Sequence, residues 1–172
     1  MQFYSPKIQL HMNVIKDIFA EIKPDTRMLV FGLGYDSKMW STATKCVFIE
    51  DKQAYIQMNS ELPNVVEYHY TGIRRTSSKS DADLEAYTIP QIILDNGPYD
   101  IILVDGPEGH NDSKPGRMLP IYWCTKLSKP GTIVYVDDSS RKSETSCITR
   151  FLPKPTKIFQ ERNKCAKIIM AS

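Results

Sequence analysis

Residues 28–40 read Met-Leu-Val-Phe-Gly-Leu-Gly-Tyr-Asp-Ser-Lys-Met-Trp. Four apolar residues, Met28 to Phe31, close on Gly32-Leu33-Gly34, which is the pattern of a buried strand entering a tight turn. The turn precedes a helix, and glycine there leaves no Cβ in the way of a cofactor's polar tail. The third glycine of the dinucleotide fingerprint is missing, since the pattern is GxGxxS. Alone, then, the turn does not separate a ligand cradle from a plain structural bend. Glu50 supplies a second signal at the end of the next apolar run, residues 46–49. An acidic side chain at that place can accept both ribose hydroxyls of a nucleoside-type ligand, although a solvated strand end carries the same residue type.

Outward from this turn the chain alternates. Residues 8–22 carry Ile8, Met12, Ile15, Ile18, Phe19 and Ile22 at helical spacing, so an amphipathic helix opens the chain and Pro24-Asp25 ends it. Residues 65–70 form a third strand and 99–104 a fourth, continuous in Ile and Val as a parallel strand should be. Residues 74–83 are polar and basic and read as a mobile loop. Residues 84–94 read as irregular helix interrupted at Pro90. Helix over 118–127, strand over 132–136 and helix over 143–151 follow. The last two runs, 157–160 and 166–170, are separated by Glu161-Arg162-Asn163-Lys164, too short for a crossover helix, so they form an antiparallel hairpin. The prediction is an α/β fold: a doubly wound, mostly parallel seven-stranded sheet with a C-terminal antiparallel hairpin and helices on both faces. That is the arrangement expected of class I S-adenosylmethionine (SAM) methyltransferases, which are Rossmann-like. A flavodoxin-like or nicotinamide-binding domain more often ends helix-first.

The chain has 172 residues, 41% hydrophobic and 24% charged, which suits one domain over residues 1–172 and excludes disorder as a description of the whole. Net charge is +2, so no overall field favours nucleic acid or an anionic membrane, and neither is expected as a partner. No apolar run approaches the roughly 18 residues that span a bilayer. Residues 1–10 lack the layout of a secretory signal, so the chain as written is expected in the cytoplasm. Cys46, Cys124, Cys147 and Cys165 are far apart with no CxxC pair, and are expected reduced and mostly buried. The equally scattered His11, His69 and His110 give no zinc pattern.

Asp105 closes the fourth strand and opens Gly106-Pro107-Glu108-Gly109-His110-Asn111-Asp112. Carboxyl ends of parallel strands face the ligand crevice, so this acid-rich loop borders the reacting centre. His110 can remove a hydroxyl proton, its ordinary pKa lying near neutrality; a surface-loop histidine is the plainer alternative. Asp137 and Asp138 end the fifth strand. With Asp105 they could hold a hard divalent cation, or they only cap helices and bind substrate hydroxyls. Arg117, Arg141 and Lys142 follow those loops and could clamp a carboxylate or phosphate, or be ordinary surface charge. Pro115-Gly116 fixes Arg117 at a helix start.

Residues 28–40, 47–51 (VFIED) and 99–122 (YDIILVDGPEGHNDSKPGRMLPIY) resemble the plant glucuronoxylan 4-O-methyltransferases and their xylan-biosynthesis relatives, from about Ile8 to the last strand. The resemblance implies SAM as methyl donor and a glycan hydroxyl, often beside a uronic acid, as acceptor; the leading reading is a SAM-dependent O-methyltransferase acting on a sugar hydroxyl of a glycan or nucleotide sugar. The resemblance also implies that Gly32, Gly34, Asp36, Ser37 and Trp40 form the cofactor turn, with Glu50 and neighbouring Asp51 at the acidic strand end. Asp105, Gly109, Pro115, Gly116, Arg117 and Met118 match the acceptor-side segment, where Glu108 joins Arg117 and Arg141 as a substrate-binding residue. Asp138 and Arg141 match an acidic and a basic position after strand five, and the catalytic set is Asp105, His110 and Asp138. Two departures stand out: His110 replaces an expected aromatic residue, and Asp137 an expected histidine. Plant members sit in the Golgi by an amino-terminal anchor, so the Golgi lumen is expected only if this chain is a trimmed domain. Two other readings remain open. One is a metal-dependent small-molecule O-methyltransferase of the catechol type, using Asp105, Asp137 and Asp138. The other is a non-catalytic SAM-fold partner in polysaccharide synthesis.

Overall fold

The side chains of each strand alternate between two apolar layers, as the two-residue period of a strand requires. Leu29, Phe31, Val47, Ile49, Ile102, Val104, Val134 and Val136 enter one core; Met28, Val30, Cys46, Phe48, Ile101, Leu103 and Tyr135 enter the other. The computed structural model describes residues 7–160 and 163–171. In chain order these form α1 (Met12–Glu21), β1 (Arg27–Phe31), α2 (Ser37–Ala43), β2 (Lys45–Glu50), α3 (Gln53–Met58) and β3 (Val65–Glu67). Then come α4 (Asp81–Glu85), α5 (Gln91–Asn96), β4 (Tyr99–Val104), α6 (Met118–Leu127), β5 (Ser128–Val136), α7 (Lys142–Phe151), β6 (Lys157–Phe159) and β7 (Cys165–Ile169).

The strands make one seven-stranded sheet in the order β3-β2-β1-β4-β5-β7-β6. β1 to β5 are parallel, and β7 runs antiparallel between β5 and β6. Apolar residues of α1 and α2 fill one core, and those of α4 to α7 the other. α6 is buried on nearly every face, which is why its sequence is apolar all round rather than striped.

The expected doubly wound sheet, terminal hairpin and two-sided helices are all present. Boundaries moved where local chemistry overrides periodicity. The opening helix starts at Met12, not residue 8, with the His11 side chain accepting from Asn13 N–H. The third strand stops at Glu67, after which Tyr68 and Tyr70 turn their rings towards each other and Tyr68 packs on Trp123. The stretch 84–94 is two helices rather than one, and Ser80 caps the first through a reciprocal bond with Asp83. The loop expected to be mobile is tied down: Arg75 N–H donates to Lys114 O at 2.7 Å, and Arg150 holds Lys79 O and Asp81. β5 begins at Ser128, four residues early, with an irregular register against β4 beside Tyr99 and Ile101. α3 had no counterpart in the sequence reading, and Glu161 and Arg162 of the hairpin loop lie outside the described residues.

β1 and β4 are adjacent, yet their chains leave the sheet towards helices on opposite sides. This is the switch point at which open α/β sheets bind ligands. Two glycines meet there. Gly32 (φ +112°) and Gly106 touch backbone to backbone; a Cβ on Gly106 would lie 2.9 Å from Gly32 Cα and 3.1 Å from Gly32 N. Both neighbours are main chain and cannot swing away. Gly106→Ala is therefore expected to cost about 1–3 kcal/mol of stability, read as a lower urea midpoint at unchanged slope.

Candidate active site

A cleft of about 260 Å³ runs along the carboxyl ends of β1, β2, β4 and β5. At one end it borders the turn 32–36 and the residues that follow β2. Gly34 leaves room for Asp36, whose carboxylate would sit 2.9 Å from a Cβ there. Asp36 in turn accepts from the Trp40 indole at 2.8 Å, and burial raises its pKa. Glu50 is 6% exposed. Its Oε2 accepts Leu33 N–H at 2.7 Å, and its Oε1 accepts Asp51 and Lys52 N–H at 2.9 Å each. Burial pushes its pKa up to about 7, against the pull of those donors. A carboxylate offers about four acceptor sites, so three backbone bonds leave one, on Oε2. The Asp51 side chain also lies within hydrogen-bonding reach of the carboxyl and adds to burial in raising its pKa, so most of the acceptor capacity of Glu50 is spent within the protein.

At the other end, Asp105, Asp137 and Asp138 surround a single buried cation. Arg117 is 4% exposed and donates to the main-chain oxygens of Asp137 and Asp105, the latter at 2.8 Å. Its Nη2 also lies 3.3 Å from Asp105 Oδ1 and 2.8 Å from Asp138 Oδ2, while Nη1 lies 4.0 Å from Asp137 Oδ2. Asp138, in the left-handed region at φ 55°, accepts a second guanidinium from Arg141 at 2.8 Å. Asp105 has its pKa raised well above the usual range, first by burial and then by the Asp137 and Asp36 carboxylates, against Arg117. The Asp137 pKa is likewise raised, mainly by burial.

Several expected roles change with this geometry. Ser37 and Trp40 do not line the cleft. Ser37 Oγ accepts Gly34 N–H at 2.9 Å, and Trp40 is fully buried, its ring 5.4 Å from Phe19, so both support the turn from behind. Arg117 lines the cleft but spends its planar fork on the protein's own strand ends. Glu108 is clasped by Lys52 and by Lys114 at 2.9 Å, which lower its pKa to about 2. The three aspartates do not converge on a cation site, because Asp138 turns to two arginines. Among the described residues no group of three His, Cys, Asp or Glu side chains is placed to hold a metal. Gly32, Gly34, Asp36, Glu50, Asp51, Asp105, Glu108, His110, Asp137, Asp138 and Arg141 all border the one cleft; His110 stands exposed at its rim.

The sequence reading missed Lys52, which crosses the cleft mouth to Glu108. It also missed Arg75, whose Cα would lie 3.0 Å from a Cβ on Gly116 and whose guanidinium pairs with Asp112. A lysine two residues past an acidic strand end was the only available signal for the first. For the second there was none, because residues 75 and 116 meet only through the fold.

The strand order with an inverted β7 and a cleft at the β1/β4 switch define a class I SAM-dependent methyltransferase fold. MycE, a methyltransferase from the mycinamycin biosynthetic pathway solved with Mg and SAH, superposes with a TM-score of 0.59 at 13% identity, covering 99% of this chain and 53% of that one. More specifically, the model of the IRX15/IRX15L/GXM family matches residues 72–165, and the chain belongs to that family. Glucuronoxylan 4-O-methyltransferase 1 of Arabidopsis thaliana is 32% identical over 87% of this chain and 64% of its own length. Arabinogalactan O-methyltransferase 1 of the same plant is 25% identical over 85% and 60%. The chain thus spans somewhat under two thirds of these relatives.

Breaking a buried ion network from its cationic side strands the acids. Arg117→Met is expected to lower unfolding free energy by about 3–5 kcal/mol, measured by denaturant titration at neutral pH, with part of the loss recovered as the pH is lowered and Asp105 and Asp137, whose pKa values are already raised, take up protons.

Proposed function

We propose that the chain is a SAM-dependent O-methyltransferase acting on a sugar hydroxyl of a glycan. One observation carries the reading: a single cleft joins a glycine turn with a buried ribose-type acceptor, Glu50, to the raised-pKa carboxylate of Asp105. The residues present fit SAM, because the glycine turn offers close main-chain approach and the Glu50 carboxyl borders the same cleft. When bound, SAM supplies an electrophilic methyl group. The relatives' two polysaccharides, glucuronoxylan and arabinogalactan, support a polymer acceptor over a small catechol-type one.

Methyl transfer to an alcohol needs its proton removed as the oxygen attacks. Asp105 is placed for this at the cleft floor, and a raised pKa brings a carboxylate closer to the operating pH of a base. His110, on the rim, is better placed to contact the acceptor. No step is assigned to a divalent metal, since Asp138 is committed to Arg117 and Arg141. Methyl transfer to glucuronoxylan is the direct test. Asp105→Asn is expected to cut turnover at least a hundredfold with SAM still bound, and His110→Ala to raise the acceptor KM with kcat within a few-fold. Chelation is expected to leave activity intact; loss on chelation with recovery on adding Mg²⁺ would overturn this assignment.

The cofactor end has its own test. Glu50→Ala removes a charge-assisted partner and is expected to weaken SAM binding by about 1.5–3 kcal/mol in calorimetry. Glu50 holds a proton below about pH 7 and releases it above. SAM affinity should therefore rise with pH and level off above about 7, with proton release on binding near neutrality. The ligand-free fold should show the opposite trend, losing stability as pH rises from about 4.5 to 7, because the folded state binds the extra proton there.

A further inference from the structure

Behind the acceptor loop lies a second, much smaller cavity, which shares Arg117 with the cleft. Its volume is about 10 Å³, and Arg75, Arg117, Glu144 and Cys147 line it. Among the described residues, five buried side-chain polar atoms have no hydrogen-bond partner: Arg75 Nε, Arg117 Nε, Arg141 Nη1, Glu144 Oε1 and Ser128 Oγ. Three of the five belong to residues that line this one cavity. Leaving such groups unpaired costs about 1–3 kcal/mol each, more when charged, so native structures seldom tolerate a cluster of them.

The hydrogen-bond arithmetic closes on one small molecule. Two Nε–H groups are donors, and a carboxylate oxygen is an acceptor. The other Glu144 oxygen already accepts from the Ser143 hydroxyl, and Glu144 is 1% exposed. A water oxygen can accept from Arg75 and Arg117 while one of its hydrogens is donated to Glu144 Oε1. The space sits at the lower edge of the roughly 10–15 Å³ that one water needs, and three polar partners lie within the usual two to four. A larger anion does not fit.

We propose that this cavity is a site for one long-lived buried water, and that through it Glu144 positions the Arg117 guanidinium. The elements it joins are the ones that shape the acceptor end. Arg75 comes from the segment after β3 that braces Lys114 and Gly116, Arg117 opens α6, and Glu144 lies in the first turn of α7. Gly109 belongs to the same construction, since a Cβ there would meet Glu144 Oε1 at 2.8 Å and Gly116 Cα at 3.2 Å. With its Nε anchored from behind, the Arg117 fork is held in the plane that meets Asp105 and Asp138. Glu144 is then a positioning residue for the proposed methyl transfer, and in that respect the inference rests on the proposed function; the water site itself does not.

The test separates the two. In ¹⁵N-labelled whole chain, the Nε–H resonances of Arg75 and Arg117 should exchange slowly and show cross-peaks to water with the sign of a long-residence molecule. Glu144→Gln keeps the shape and an acceptor oxygen, and should retain those cross-peaks. Glu144→Leu should lose them. In methyl transfer, Glu144→Leu is expected to lower kcat about tenfold with SAM affinity unchanged, and Glu144→Gln to restore most of it. Should Glu144→Leu not fold, the wild-type and Gln spectra still decide the site. Missing water cross-peaks on Arg117 in the wild-type chain, or a direct Glu144–Arg141 pairing in its place, would refute the water site. Cross-peaks present with no change of kcat in Glu144→Leu would refute the positioning role. A wild-type chain that binds the water but methylates no glycan would instead count against the proposed function alone.

Discussion

Three carboxylates, two guanidiniums and the ends of two neighbouring strands meet at Arg117, and much of the acceptor end depends on how that charge is balanced. Asp105 and Asp137 finish β4 and β5, whose pairing is parallel; nothing in a parallel ladder fixes what the chains do once they leave it. Arg117 does so by taking a main-chain oxygen from each strand end as well as their side chains. Arg141 adds a second positive charge at Asp138. The group is left with one negative charge in excess. Burial raises the pKa of Asp105 first, and the Asp137 and Asp36 carboxylates add to it against the pull of Arg117.

The cofactor end rests on a different constraint, contact between main chains. Gly32 and Gly106 let the ends of β1 and β4 approach until no side chain fits between them, and Asp105 N–H donates to Phe31 O at 2.9 Å. Because the turn after β1 leans on the loop after β4, the two ends of the cleft share a floor. Lys52 and Glu108 repeat the connection at the mouth with charges instead of backbone. Nucleoside-side and acceptor-side residues are therefore held in one frame by two physically unlike links.

The sheet and its helices were legible because local pattern and global fold agree: apolar runs such as 28–31 and 101–104 are buried on both faces and bear no polar interruption. Chemistry-bearing strand ends were legible too, since Glu50 and Asp105 sit where a parallel strand delivers its side chains to a crevice. What each side chain does there was not. Arg117 looked like an acceptor clamp because sequence shows a charge and its flanking turn, but not the three acids that converge on it in space. Trp40 and Ser37 were expected at the cofactor because they match the family's turn; the helical geometry of α2 rotates them to its buried side. The insertion of β7 between β5 and β6 was beyond reach for the same reason, as a hairpin motif fixes which strands pair with each other and not which third strand one of them joins.

The sheet's outermost strands, β3 and β6, are each three residues long, while the strands between them run to five residues or more. An uncovered strand edge is a template on which another chain can add, and shortness blunts it. β6 carries Lys157, whose ammonium lies over the Phe159 ring and reaches Asp17 on α1, which ties this short strand to the helix on one face of the sheet. The inner strands, with their unbroken aliphatic runs, are the ones that would aggregate if laid bare. Confining them to the interior of the sheet and ending it on both sides in stubs gives a fold that resists edge-to-edge growth without closing into a barrel.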